Sequence, residues 1–107
     1  MRLTVVALLL IAAAPALAAT PDAWAQSLSD AKLACRKASD FKNAAVVGKP
    51  LLFSDSNGKT AILVTGIWRP EHMKGARGTM LCLYDRASRT AEVTEAKNWT
   101  VAAPPKP

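Results

Sequence analysis

Hydrophobic and polar positions change their spacing twice along this chain, and each change predicts a different element. The first stretch is a plain apolar run from Leu3 to Ala14, preceded by Arg2 and followed by Pro15 and the small-residue pattern Ala16-Leu17-Ala18. A cationic end, a short apolar run and a small-residue site are the three parts of a secretory signal, so residues 1–18 are expected to be removed after Ala18. The run is shorter than the roughly 18 to 20 apolar residues a bilayer span requires. No cysteine stands directly after the site, which sets the pattern apart from a lipoprotein signal.

Beyond it, Trp24, Leu28, Ala31, Cys35 and Ala38 recur at steps of four and three. That spacing places them on one stripe of a helix. Thr20-Pro21-Asp22 supplies its start: a capping hydroxyl, a proline where the first helical N–H needs no partner, and an acid at the positive end of the dipole. Ser27, Ser29 and Asp30 weaken the helix and leave room for a kink, and it should fade between Ser39 and Asn43.

The pattern then becomes that of strands. Gly48 and Pro50 mark Ala44 to Pro50 as a connection before a short strand at Leu51-Leu52-Phe53. Asp55-Ser56-Asn57-Gly58 carries an Asn-Gly turn signal, which pairs Leu51 to Ser54 antiparallel with Lys59 to Trp68. That second strand is apolar on both faces, Ala61, Leu63, Thr65 and Ile67 against Thr60, Ile62, Val64, Gly66 and Trp68. Such a strand is central, covered on both faces, or covered on one with the other left for a partner. Arg69 to Gly78 reads as a loop, and Thr79 to Asp85 as a strand with Met80, Cys82 and Tyr84 on one face and Leu81 and Leu83 on the other. The turn Arg86 to Arg89 leads into a more polar edge strand, Thr90 to Ala96. Trp99 is expected to fold back on the outer sheet face, which otherwise stays open to a second copy of the chain as a homodimer. The proline-rich tail 102–107 has no means of burying itself. The expected architecture is α+β: one domain over 19–101, with an N-terminal helix packed on a four-stranded antiparallel β-meander. No internal repeat is present.

Two cysteines, Cys35 and Cys82, remain in the mature chain. In an oxidising compartment they pair, joining helix to strand. They are too far apart in sequence for a redox motif, and with one histidine they are too few for a zinc site. Removing the leader leaves thirteen Lys and Arg against eight Asp and Glu, a net charge of +5. A basic exported domain points toward acidic partners: a protein cleft, an envelope polymer or a lipid surface, and not nucleic acid. The charges are scattered, with Arg36-Lys37 the longest basic pair, so no polybasic tail is present.

Candidate chemistry is sparse. His72 lies beside Glu71 and near Met73 and Met80, ligand types that suit copper, but the spacing fits no motif and the neighbouring cations oppose a bound cation. Ser54, Ser56 and Ser88 lie in no nucleophile elbow. Glu71, Asp85, Glu92 and Glu95 form no distinctive acid pair. Asn98-Trp99-Thr100 matches a glycosylation pattern, but the Ala-rich leader reads as bacterial and the match as chance. No metal, cofactor or catalytic set is expected.

What stands out is the loop over 69–78. Trp68 and Arg69 at its base and His72, Lys74 and Arg77 along it make a set rich in the residue types that dominate interface hot spots. The expectation is a non-enzymatic periplasmic or secreted binding protein, of inhibitor or immunity type, that offers this loop to a protein partner in the envelope. The alternative is an envelope-associated protein that holds an anionic polymer or lipid surface through distributed charge.

Overall fold

The computed structural model describes residues 20–101; the expected signal segment and the tail 102–107 lie outside them. Helix α1 (Pro21–Ser39) is followed by β1 (Lys42–Leu52), β2 (Lys59–Ile67), a 3-10 turn (Glu71–Met73), β3 (Arg77–Asp85) and β4 (Thr90–Glu95). The strands form one antiparallel sheet in the order β1-β2-β3-β4. The protein is therefore α+β, one helix on a four-stranded meander.

Helix α1 begins as its residues dictate. The Thr20 hydroxyl accepts from the Ala23 N–H at 3.1 Å, and Asp22 lies in the first turn. It runs unbroken through Ser27 to Asp30 and stops where Asp40 turns left-handed (φ 56°), its N–H donating to the Lys37 carbonyl. Ser39, buried behind this cap, donates to the Arg36 carbonyl at 2.7 Å and accepts from the Phe41 N–H at 3.3 Å. Ala31 and Cys35 are fully buried against the sheet, and Cys35 is bonded to Cys82 of β3, their Cα atoms 5.7 Å apart. Ile62, Val64, Cys82, Tyr84 and Phe41 complete the core on this side. No helix among the described residues is long and apolar enough to cross a membrane.

Strand β1 departs from the sequence reading: it starts at Lys42, before the segment expected to be a connection. Asn43 (φ 54°) and Gly48 (φ 71°) take left-handed conformations, and the pairing with β2 shifts register between Lys42 and Ala45 and again between Val47 and Leu51. Each shift absorbs the irregularity as a bulge, and on an edge strand Pro50 costs no ladder bond. Residues that read as punctuation thus sit inside a strand.

A second unexpected feature lies where β2 meets β3. Gly66 and Gly78 are direct partners across the ladder. A methyl group on Gly66 would come 2.3 Å from the Phe41 Cβ, and one on Gly78 would come 2.4 Å from the Trp68 Nε1. The paired glycines make a trough on the helix side of the sheet. Phe41 and Trp68 lie in it, edge to face with ring centroids 4.8 Å apart.

At the other end of the sheet both hairpin turns are tied together. In the first, Asn57 and Gly58 both donate to the Ser54 carbonyl, and Gly58 alone takes a positive φ (63°), so the turn is longer than the two-residue form that Asn-Gly favours. Arg86 of the second turn lies along it. Its guanidinium donates to the carbonyls of Lys59, Phe53 (3.1 Å) and Ser54 (3.3 Å) and to the buried Thr60 hydroxyl (3.3 Å), and it stacks over the Trp24 ring at 5.6 Å. Beside it, Asp85 accepts from Lys59 at 2.6 Å and from the amides of Ala87 and Ser88.

These contacts make the fold acid-sensitive at a defined place. The Lys59 hydrogen bond first, then the Ser88 and Ala87 amides, lower the Asp85 pKa from 3.8 to about 2. A carboxylate depressed in the folded state stabilises the fold fully above its unfolded pKa, and the contribution disappears as pH falls through the folded value. Stability should therefore decline from about pH 4 toward pH 2, and Asp85→Asn should flatten that part of a pH-resolved urea titration. An unchanged acid limb would show that Asp85 does not carry it.

Candidate functional site

The structure distributes the five expected residues between support and display, and it ends the loop sooner than expected, because Arg77 and Gly78 pair with Ile67 and Gly66 as the start of β3. Trp68 is half-buried over Gly78, and its N–H donates to the Ala76 carbonyl at 2.9 Å, closing the loop at its base. Arg69 reaches back to the end of α1. Its Nε donates to the Asp40 carbonyl at 2.7 Å, its Nη2 to the Phe41 carbonyl at 3.3 Å, and its charge faces the Asp40 carboxylate at 3.4 Å. A cation on carbonyls at a helix C-terminus is favourable for the helix dipole as well. Trp68 and Arg69 are thus engaged within the fold, holding the loop to the helix.

Between them the chain folds on itself. Met73 donates to the Pro70 carbonyl, Lys74 to Glu71 and Ala76 to Met73, with Lys74 (φ 51°) and Gly75 (φ 73°) both left-handed. Met73 is half-buried, whereas His72, Lys74 and Arg77 are exposed. Trp68 and Arg77 line one cleft of about 250 Å³ together with Glu95 and Lys97. Arg69 lines another, about 490 Å³, with Arg36, Lys37, Asp40 and Phe41. His72 and Lys74 line neither, so the five residues do not converge on a single pocket.

No group of three or more His, Cys, Asp or Glu able to hold a metal occurs among the described residues. Every buried side-chain nitrogen or oxygen described has a hydrogen-bond partner, so none is held unpaired for a ligand. The cations Arg36 and Lys37, read from the sequence only as a basic pair, lie at the same end of the helix as Arg69 and widen the positive surface there. Their proximity to the loop has no signal in the sequence, because it depends on where α1 ends relative to β2.

On the opposite sheet face, Trp99 returns as its position suggested and, with Val101, walls an apolar groove over β1, β2 and β3. Val101 lies against Gly48, where a methyl group would meet its Cγ2 at 2.8 Å. No protein-family model, curated protein or solved structure matches the chain.

Proposed function

We propose that this protein is a non-enzymatic, exported binding module that presents the loop 69–78 to an acidic surface of a protein partner in the cell envelope. The observation that carries this reading is the loop's construction. It is closed at its base by Trp68 and Ala76, tied internally by three backbone hydrogen bonds and fastened to α1 through Arg69. A loop ordered in advance loses little conformational entropy on binding, which is a requirement of tight loop-mediated recognition. His72, Lys74 and Arg77 are then the contacting groups, and Trp68 and Arg69 their support. The basic balance of the chain favours an acidic partner and speeds encounter with it.

The test is charge reversal at exposed positions that make no internal ion pair. Lys74→Glu with Arg77→Glu should weaken an envelope partner captured by the unaltered protein at least tenfold, while the melting temperature stays within a degree or two. Arg69→Ala, in contrast, should lower stability by roughly 1–2 kcal/mol through the exposed end of α1. Capture unaffected by the double reversal would refute the loop reading. Binding that collapses across moderate salt, and falls equally on removal of any surface cation, would instead favour an anionic polymer or lipid held by distributed charge.

A further inference from the structure

The groove on the outer sheet face is chemically unlike the cationic loop. Val47 and Leu51 of β1, Leu63 of β2, Leu81 of β3 and the returning Trp99 and Val101 enclose a volume of about 470 Å³, open to solvent. Leu51 is 65% exposed, Trp99 58% and Val101 47%, in a chain whose other sheet face is covered by the helix. The volume falls in the range of small-molecule sites, ~300–1,000 Å³. We infer that this groove is a binding site for the single hydrocarbon chain of a free fatty acid, with Lys49 at its rim receiving the carboxylate.

Two features of the lining select that occupant. The first is the scarcity of hydrogen-bonding side chains: Lys49 is the only charged side chain among the lining residues, and the Trp99 indole N–H is the one other side-chain donor. A peptide segment entering the groove would bring backbone N–H and C=O groups that find no partners there, and an unpaired buried polar group is costly. A hydrocarbon chain has none to satisfy. The second is the sign of that one charge. Lys49 is exposed and makes no ion pair among the described residues, so an anionic end group placed beside it finds a free cation. A second copy of this basic chain laid face to face would bring its own Lys49 and net positive charge to the same patch, which opposes self-association. A volume of about 470 Å³ also suits one hydrocarbon tail better than the two of a membrane lipid.

The probe is dodecanoate, titrated below its micelle concentration into the purified, delipidated protein and followed by calorimetry and tryptophan fluorescence. Saturable binding of one dodecanoate per chain is expected, with butyrate inactive. Lys49→Gln should weaken dodecanoate roughly fivefold, the worth of one part-exposed charge contact, and leave dodecanol unchanged. Val101→Asp sets a carboxylate in the wall at the end of the described chain; it should weaken dodecanoate more than tenfold without lowering the melting temperature. Non-saturating uptake, binding indifferent to both substitutions, or binding of phosphatidylglycerol vesicles without binding of the free acid would each overturn the assignment. So would a dimer, detected by sedimentation, that masks the groove.

Discussion

Replacing Cys35 and Cys82 together by alanine is expected to remove about 4 kcal/mol of stability, the chain-entropy worth of a cross-link across 47 residues. For a domain of this size total stability is on the order of 5–15 kcal/mol, so the loss takes away a large share of it. The bond has this weight because of where it lies. Both cysteines are completely buried, and they join the one α-helix described to a central strand of the sheet. Helix α1 otherwise holds the sheet through small residues such as Ala31 and Ala34, which bury little area each. The melting temperature of the double variant should fall by roughly 20 °C or more, and reduction of the unaltered protein should produce a comparable drop. Because the uncrosslinked unfolded chain is more expanded, the denaturant dependence should steepen as well. A loss below about 1 kcal/mol would mean that the helix is held to the sheet by packing alone.

Arg86→Ala should be the next most damaging change, at roughly 2–4 kcal/mol in urea unfolding. The side chain is only 13% exposed, and its guanidinium bridges the two hairpin turns through three carbonyls and the Thr60 hydroxyl while covering Trp24. Truncation would strip the buried Thr60 hydroxyl of this donor and uncover the indole. Arg86→Lys should recover less than half of the loss, because one ammonium cannot span acceptors that a planar fork reaches together. Hydrogen exchange offers a local check: the Gly58 carbonyl accepts from the Arg86 N–H, and protection of that amide and of the first turn should fall in both variants. If Arg86→Ala unfolds within 1 kcal/mol of the unaltered protein, the bridge does not stabilise the fold.

Arg86 and the base of the loop show why part of the fold and of the site was invisible in the sequence. Read along the chain it is one more turn residue, and Arg69 and Trp68 resemble a hot spot at the base of a cationic loop. Their hydrogen-bonding partners lie 26 to 33 residues away for Arg86 and 28 to 29 for Arg69, so no local pattern separates an arginine that clamps carbonyls from one that awaits a partner. Trp68 is similar. Its place on the helix side of the sheet follows from alternation, but its use as a lid over Gly78 requires Gly66 and Gly78 to be paired across the ladder. Of the exposed remainder, His72 and Lys74 were legible as loop residues, whereas Arg77, read as loop, opens β3 opposite Ile67, and the structure adds three backbone hydrogen bonds within the loop.

Periodicity and capping chemistry were enough for the helix from Pro21 to Ser39, for strands β2, β3 and β4 and their antiparallel order, and for the pairing of Cys35 with Cys82. These depend on neighbours one to four residues apart, on a tight turn or on the chemistry of one residue type. Tertiary structure alone decided the length of β1, where bulges at Asn43 and Gly48 turn apparent loop signals into strand. It also decided the fate of Trp68, Arg69 and Arg86, and the groove that Trp99 and Val101 wall on the outer face. Those outcomes rest on which distant surfaces meet, and the energy of such meetings is written in register and packing, which no local spacing encodes.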